Sequence, residues 1–199
     1  MEHPRTLALF DFDGTITSSD TLLAFTRFAV GKKRYLSGML YLALPLVLNK
    51  AKVLSSHRVK ETFLTHFFKD WKLIDFEQRC QQFDRDVLPD LIRPQAMAAI
   101  RTYVERGDRT IIVSASPENW IIPWATQWGV EVIATKVEVR DGRLTGKIAG
   151  KNCNSEEKVS RIRQHLNLSD YQEVFVYGDS SGDAAMLELG TKRHFKPFR

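Results

Sequence analysis

The sequence is poor in cysteine, and it contains no low-complexity segment and no internal repeat. Its two cysteines, Cys80 and Cys153, lie far apart and match no spacing that is typical of zinc or redox sites. A small secreted fold held together by disulfides is therefore not expected, and a reducing cytoplasmic compartment fits best. The missing repeats likewise argue against solenoids and propellers.

No apolar run in the chain has the length of a transmembrane helix. The longest, from Tyr35 to Leu48, holds eleven apolar residues in fourteen and is interrupted by Ser37, Gly38 and Pro45. A helix that crosses a bilayer needs about 20 apolar residues. This run is therefore predicted to be a buried helix pair or a segment at a membrane interface.

Acidic residues are missing from residues 21–60, although this stretch contains eight basic residues. Because the whole chain carries a formal charge of +5, the residues outside the stretch carry −3. One face of the protein is therefore expected to attract anions, phosphates or a membrane surface. Nucleic acid is not an expected partner, because the basic residues alternate with aliphatic rather than aromatic side chains. The basic residues are Arg27, Lys32, Lys33, Arg34, Lys50, Lys52, Arg58 and Lys60.

Short apolar segments alternate with helical ones, which predicts an α/β fold with a Rossmann-like parallel sheet. Residues 20–91 break the alternation and are predicted to be helical, so we expect an α/β core of residues 1–17 and 92–199 with an inserted all-helical cap of residues 18–91. The Asp141-Gly142 dipeptide predicts a β-hairpin after the third strand. Ser116 is the predicted N-cap of the helix after the second strand. The predicted core strands are Thr6–Phe10, Arg109–Val113, Val130–Ala134 and Glu173–Tyr177, with Arg193–Phe195 as a candidate edge strand.

Polar and charged residues follow several of these strands. In a parallel sheet the functional site lies beyond the carboxyl ends of the strands, where the strand order reverses. The first strand leads into residues 11–15, the second into residues 114–116, and the fourth into residues 178–183. The side chains expected to converge at this edge are Asp11, Asp13, Ser114, Lys158, Asp179 and Asp183.

These side chains suit a site that transfers phosphate. Carboxylates bind Mg²⁺, which prefers oxygen ligands. The cation, Lys158 and Ser114 would surround the phosphoryl oxygens with positive charge and hydrogen-bond donors. Asp11 can attack phosphorus once these charges offset its repulsion from the phosphate. Asp13 can protonate the leaving alcohol and later activate water.

The same residues, in this order, resemble a known family. The order and spacing are similar to those of the four motifs of the haloacid dehalogenase superfamily across nearly the whole chain. The helical insertion after the first motif resembles the type 1 cap of the phosphoserine-phosphatase-like branch, subfamily IB. The motifs are matched here by Asp11-Phe12-Asp13-Gly14-Thr15, by Ser114, by Lys158, and by Gly178-Asp179 with Asp183.

The resemblance implies a magnesium-dependent phosphatase and a role for each matching residue. Asp11 would be the catalytic nucleophile, Asp13 the general acid and base, and Lys158 a catalytic contact of the phosphate. Asp13 also argues against dehalogenation, because cleavage of a carbon–halogen bond needs no acid for the leaving group. The phosphate would be held by Lys158, Ser114 and the backbone amides near Phe12 and Ala115. The magnesium ligands would be Asp11, Asp13 through its backbone carbonyl, Asp179, and Asp183 as a ligand or as an acceptor behind the ligands.

The motifs leave the substrate open, because the cap selects it. Asp20 matches the position at which phosphoserine phosphatases carry an acidic residue for the ammonium group of the substrate, although it is equally suited to cap a helix. Arg58, in the cap, is a second candidate contact of the substrate. The pattern of phosphoserine phosphatases is broken at Gly14, Ala115 and Gly182, which puts phosphoserine in doubt as the substrate.

Three functions therefore remain open. The first is hydrolysis of a small phosphorylated metabolite. The second is hydrolysis of a lipid phosphate, such as a phosphatidylglycerol phosphate, by a protein in peripheral contact with the membrane, because cations flank the apolar run on both sides. The third is a basic membrane-binding module with a vestigial phosphatase core. Such a module would have no reason to keep Asp11, Asp13, Lys158 and Asp179, all of which are present.

Overall fold

The computed structural model describes residues 6–50 and 53–199. Lys52, one of the cations that flank the apolar run, lies outside the described residues, and so does the side chain of Lys50. Within the described part of the chain, no helix combines the length and the apolar character that a membrane crossing requires.

A parallel sheet of five strands forms the centre of the described fold, and a separate antiparallel pair forms a hairpin. The strands in chain order are β1 (Thr6–Phe10), β2 (Arg109–Pro117), β3 (Glu131–Thr135), β4 (Val137–Arg140), β5 (Arg143–Ile148), β6 (Glu173–Gly178) and β7 (Lys192–Phe195). The sheet has the order β3-β2-β1-β6-β7, and β4 pairs only with β5. The predicted fold, its hairpin and its edge strand are thereby confirmed.

Helices cover both faces of the sheet, and β1 therefore buries side chains on both of its sides. Leu7 and Leu9 belong to one core cluster, whereas Ala8 and Phe10 belong to the other, as expected when successive residues of a strand face opposite ways. The helices in chain order are α1 (Thr21–Val30), α2 (Lys32–Tyr41), α3 (Ala43–Lys50), α4 (Ser56–Phe68), α5 (Leu73–Asp86), α6 (Leu88–Leu91), α7 (Pro94–Glu105), α8 (Glu118–Gln127), α9 (Glu156–His165) and α10 (Ala184–Leu187).

The helices α1–α6 leave and re-enter the core through neighbouring stretches of backbone. Thr17 and Ile92 form an antiparallel bridge. On either side of it, the Ser18 amide donates to the Leu91 carbonyl at 2.7 Å and the Arg93 amide donates to the Ile16 carbonyl at 2.8 Å. The predicted domain borders at residues 17/18 and 91/92 stay a prediction. Residues 18–91 are called the cap below.

The hairpin packs against the cap rather than extending the sheet. The amide of Asp70 donates to the carbonyl of Leu144 at 2.9 Å, and the amide of Leu144 donates to the carbonyl of Trp71 at the same distance. Asp141 and Gly142 form the turn with φ angles of 50° and 69°, the left-handed conformation that this dipeptide favours. The hairpin is thus connected in sequence to the core and attached by hydrogen bonds to the cap.

One predicted boundary is wrong. β2 continues to Pro117 and α8 begins at Glu118, so Ser116 is not the N-cap of that helix. The reason is local, because the Ser116 amide donates to the Ser114 hydroxyl at 3.0 Å and the strand pairing shifts register between Ser114 and Pro117. The polar residues Ser114 and Ser116 are therefore held in the extended backbone at the end of β2.

Gly146 allows the hairpin to approach the cap, and its replacement by alanine should separate them. Gly146 has a φ of 81°, and an added Cβ would overlap the Cα of Thr65 in α4. Gly142 is a matched control, since its φ of 69° imposes a similar backbone strain but no atom lies within 4 Å of an added Cβ. Backbone strain should lower the unfolding free energy of both variants by about 1 kcal/mol. Overlap with Thr65 should lower that of Gly146→Ala by about 1–3 kcal/mol more.

Urea denaturation of the two variants measures this difference. Equal losses of unfolding free energy in Gly146→Ala and Gly142→Ala would contradict a close hairpin–cap contact.

Candidate active site

The first motif lies in a tight turn at the carboxyl end of β1. The amide of Asp11 donates to the carbonyl of Tyr177 in β6 at 2.9 Å, which fixes the residue at the edge of the sheet. The hydroxyl of Thr15 donates to Oδ2 of Asp11 at 3.2 Å. Gly14 takes a φ of 81° within this turn. The turn therefore holds the Asp11 carboxylate still while leaving Oδ1 for other partners.

The ammonium of Lys158, in the first turn of α9, lies between two carboxylates. Its Nζ is 2.6 Å from Oδ1 of Asp11 and 2.7 Å from Oδ1 of Asp183. The Lys158 side chain is only 1% exposed, so these charges interact in a poorly solvated environment. Lys158 thus draws together the ends of β1 and β6 and the start of α9.

Lys158 and its two carboxylate partners, Asp11 and Asp183, shift one another's pKa values. Burial raises the pKa of Asp11 to about 7, and the charge of Lys158 opposes this rise. Burial alone would lower the pKa of Lys158, but the charges of Asp11 and Asp183 more than offset it and the pKa is raised. Burial would likewise raise the pKa of Asp183, yet Lys158 and the hydrogen bonds from Ser180 hold it below the ordinary value.

Asp13 is oriented by the cap. Its Oδ1 accepts hydrogen bonds from the amide of Thr21 at 2.6 Å and from the Thr21 hydroxyl at 2.5 Å. The hydroxyl of Ser114 donates to Oδ2 at 3.3 Å, and the indole of Trp120 donates to the Thr21 hydroxyl at 3.0 Å. Thr21 is the first residue of α1, so the first helix of the cap sets the direction of this carboxylate.

The predicted phosphate contacts lie beside these carboxylates. Ser114 is fully buried at the end of β2, and its hydroxyl both donates to Asp13 and accepts the Ser116 amide. Phe12 is fully buried too, with its ring 5.8 Å from that of Trp124. Phe12 can therefore contribute only backbone to the site.

Three carboxylates are close enough to share a cation. Asp11, Asp179 and Asp183 each place an oxygen within 4.8 Å of the others. Gly14 makes room for Asp179, because an added Cβ would lie 2.5 Å from its Oδ2. Such a set of oxygen donors suits Mg²⁺. Asp183 has less freedom than the others, since its Oδ2 accepts the amides of Asp179 and Ser180 at 3.2 and 3.0 Å.

A cavity of about 440 Å³ joins these groups beneath the cap. Of the predicted site residues, it is lined by Asp11, Asp13, Asp20, Ala115, Lys158, Asp179 and Asp183. Asp20 also caps α1, because its Oδ1 accepts the Leu23 amide at 3.1 Å. Arg58 is exposed and is not among the described residues that line the cavity.

Three residues of the site were not predicted as site residues from the sequence, namely Lys60, Thr21 and Arg199. Lys60 and Arg199 line the cavity, and Arg199 forms a hydrogen-bonded ion pair with Oδ2 of Asp179. The position of Lys60 could have been predicted from the helical spacing. Lys60 precedes the buried residues Leu64 and Phe67 by four and seven positions on α4. This spacing places it on the inward face of that helix. Arg58 lies off this face, although both are cap cations. Nothing in the local pattern around Arg199 indicates the site.

The comparison with known families agrees with this geometry. A family model described as haloacid dehalogenase-like hydrolase matches residues 8–188. This chain therefore belongs to the haloacid dehalogenase-like hydrolase family and is an enzyme.

Relatives of known sequence extend over nearly the whole chain. Protein CicA of Caulobacter vibrioides is 34% identical over 203 residues, which span all of this chain and 89% of that protein. A probable phosphatase of Mycobacterium tuberculosis is 30% identical over 191 residues, spanning 92% of this chain and 66% of that protein.

Among solved structures, a phosphoserine phosphatase in the form of a phospho-aspartyl intermediate analogue has a TM-score of 0.62 at 21% identity. The match covers 94% of this chain and 84% of that one. The expected resemblance to the phosphoserine-phosphatase branch of the superfamily is thereby confirmed at the level of the fold.

Proposed function

We propose that this phosphatase hydrolyses phosphate monoesters with Mg²⁺, through a phosphoaspartate on Asp11. The observation that carries the proposal is the 2.6 Å contact between Lys158 and Asp11 at the buried end of the cavity. A carboxylate beside a fixed ammonium can approach an anionic phosphate, because the positive charge offsets their repulsion. The probable phosphatase from M. tuberculosis and the phospho-aspartyl analogue of phosphoserine phosphatase support the same chemistry.

The metal ligands are proposed to be Asp11, Asp179 and the backbone carbonyl of Asp13, with Asp183 as a ligand or as an acceptor behind them. The 4.8 Å spacing of three of these carboxylates and the space left by Gly14 support this assignment. A bound Mg²⁺ would neutralise charge on the phosphoryl oxygens and fix their orientation.

In the first step, a carboxylate oxygen of Asp11 forms a bond to phosphorus while the bond from phosphorus to the ester oxygen breaks. Asp13 gives a proton to that oxygen, so the leaving group departs as an alcohol. Lys158 donates a hydrogen bond to the phosphoryl oxygens, and Ser114 donates another after its hydroxyl turns from Asp13 to the phosphate. Thr21 keeps Asp13 directed towards the leaving group through its two short hydrogen bonds.

In the second step, water releases the phosphate from Asp11. Asp13, now ionised, accepts a proton from the water as its oxygen bonds to phosphorus. The bond between phosphorus and the Asp11 oxygen then breaks, which restores the carboxylate. The products are the alcohol and inorganic phosphate, and no proton is gained or lost by the enzyme over the cycle.

The cap is proposed to select the leaving group, because its residues Asp20 and Leu22 line the cavity and Asp20 brings a negative charge to it. A small phosphorylated metabolite with its own charged groups suits this lining. The departures from the phosphoserine phosphatase pattern at Gly14, Ala115 and Gly182 still argue against phosphoserine.

Replacement of Asp11 by asparagine should abolish turnover and leave the fold intact. The amide is nearly isosteric but is a poor nucleophile, so we expect kcat to fall by at least about 10³. Hydrolysis of p-nitrophenyl phosphate with Mg²⁺ measures the activity, and circular dichroism checks the fold. Substantial turnover by a well-folded Asp11→Asn protein would rule out the nucleophilic role.

A lipid phosphate is the second candidate substrate, because an exposed apolar surface lies on the cap. Leu40 and Leu44 are 80% and 66% exposed, and residues 21–60 carry no acid to repel an anionic membrane. The surface, here the apolar face, comprises Leu36, Leu40, Tyr41, Leu44 and Val47.

Co-sedimentation with vesicles tests this candidate. The protein should bind phosphatidylglycerol vesicles at low salt more strongly than phosphatidylcholine vesicles. Replacing Leu40 and Leu44 together by serine should weaken that binding about tenfold or more, because two apolar side chains lose their burial in the interface. Ile74→Ser is the matched control, since Ile74 is 58% exposed on α5, outside the apolar face. If the protein does not bind anionic vesicles at low salt, the lipid candidate is ruled out in favour of soluble esters.

A further inference from the structure

Lys60 in α4 is a cap residue whose side-chain cation contacts the end of β2. Its Nζ donates to the carbonyl of Ala115 at 2.7 Å and to Oδ1 of Asn152 at 2.8 Å. Ala115 directly follows Ser114, the proposed phosphate contact. The ammonium therefore joins the cap to the backbone that is proposed to hold the phosphate.

The second acceptor of Lys60 is itself fixed. Oδ1 of Asn152 also accepts the hydroxyl of Thr135 at 3.1 Å, and Thr135 ends β3. The Thr135 hydroxyl in turn accepts the amide of Cys153 at 3.0 Å. Lys60 thus reaches into a rigid part of the core, and its position depends on where α4 lies.

Other side chains of α4 attach the helix to residues 146–152. Oε1 of Glu61 accepts the Ile148 amide at 3.2 Å, and the Thr65 hydroxyl donates to the Gly146 carbonyl at 3.1 Å. The backbone amide of Asn152 donates to Nδ1 of His57 at 3.3 Å. These contacts all bind one face of α4 to residues 146–152, so the helix and Lys60 are seated as a unit.

The charge of Lys60 is retained at neutral pH. Burial lowers its pKa to about 8, while the carboxylates of Asp13 and Asp20 oppose the fall. A charged donor makes a stronger hydrogen bond to a carbonyl than a neutral one does. Because the Ala115 carbonyl and the Ser116 amide belong to the same peptide unit, a bond from Lys60 fixes the orientation of that unit. The Ser116 amide donates to the Ser114 hydroxyl, so the orientation is passed to Ser114.

We propose that Lys60 is a positioning residue, which aligns Ser114 and the Ala115 backbone for the transferring phosphate when the cap is seated. This inference rests on the proposed phosphatase function. The competing account is that Lys60 binds the leaving group directly. The two accounts differ in one respect, because a residue that aligns the phosphate contacts acts on every substrate alike, whereas a contact of the leaving group acts only on some.

The experiment compares Lys60→Met with Lys69→Met, an exposed lysine at the end of the same helix. Each variant is assayed with Mg²⁺ on methyl phosphate, on p-nitrophenyl phosphate and on an ester with a charged leaving group. We expect Lys60→Met to lose about tenfold to a hundredfold in kcat/KM on all three, the size of effect that hydrogen bonds to a charged group give. Inhibition by inorganic phosphate should weaken in parallel, and Lys60→Arg should recover part of both losses. Lys69→Met should behave as the parent.

Asp13→Ala provides the contrasting profile, because loss of the acid harms the alkyl ester far more than the aryl ester. A Lys60→Met loss that is confined to the charged leaving group, with unchanged inhibition by phosphate, would overturn the proposal in favour of direct contact with the leaving group.

Hydrogen exchange separates this inference from the proposed function. Lys60→Met should raise the amide exchange of residues 114–116, 118 and 151–153 above that of Lys69→Met, whether or not the protein hydrolyses any ester. If the parent protein neither hydrolyses nor binds phosphate but this difference appears, the proposed function fails and the link made by Lys60 stands. If exchange is the same in both variants, the positioning role of Lys60 is refuted.

Discussion

The contact of Lys158 with Asp11 and Asp183 is the interaction on which the described structure most depends. Asp11 directly follows β1, and Asp183 lies between β6 and α10. These two buried carboxylates would repel each other strongly without the ammonium between them. Removing one partner from a buried pair of this kind costs about 3–5 kcal/mol, a large share of the stability of a single domain. The same contact prepares the chemistry, because it keeps a positive charge beside the proposed nucleophile.

The cap completes the site instead of only covering it. Thr21, at the start of α1, orients Asp13 through two hydrogen bonds, and Lys60, on α4, reaches the Ala115 carbonyl. The hairpin contributes from the other side, since Gly146 lets β5 lie directly against α4. The position of the cap and the geometry of the reacting groups are therefore linked by named hydrogen bonds. A substrate that shifts the cap would also shift Asp13 and the end of β2.

Those parts of the structure that depend on local patterns could be predicted from the sequence. Apolar runs bounded by turn residues identified the strands, and Asp141-Gly142 identified the hairpin, because each signal lies within a few residues of chain. The convergence of Asp11, Ser114, Lys158 and Asp179 followed from the general rule for the ends of parallel strands. The attachment of the hairpin to the cap could not be predicted, since its hydrogen bonds join residues about 70 positions apart in sequence, such as Asp70 and Leu144.

One predicted boundary was wrong because one local interaction overrode another. Ser116 has the side chain of a good N-cap, but the Ser114 hydroxyl binds its amide and keeps it extended. Arg58 and Lys60 are equivalent by charge, and only the inward face of α4 distinguishes them. Asp20 caps α1 and also lines the cavity, and its predicted contact with the substrate stays a prediction.

The proposed function depends above all on the transfer of phosphate to Asp11. A rapid acid quench during turnover of a ³²P-labelled ester, followed by borohydride reduction and peptide mass spectrometry, tests it directly. Reduction converts a phosphoaspartate into homoserine, so the account predicts labelled protein at early times and homoserine at position 11. Protein that stays unlabelled during turnover, or homoserine at another aspartate, would contradict the account.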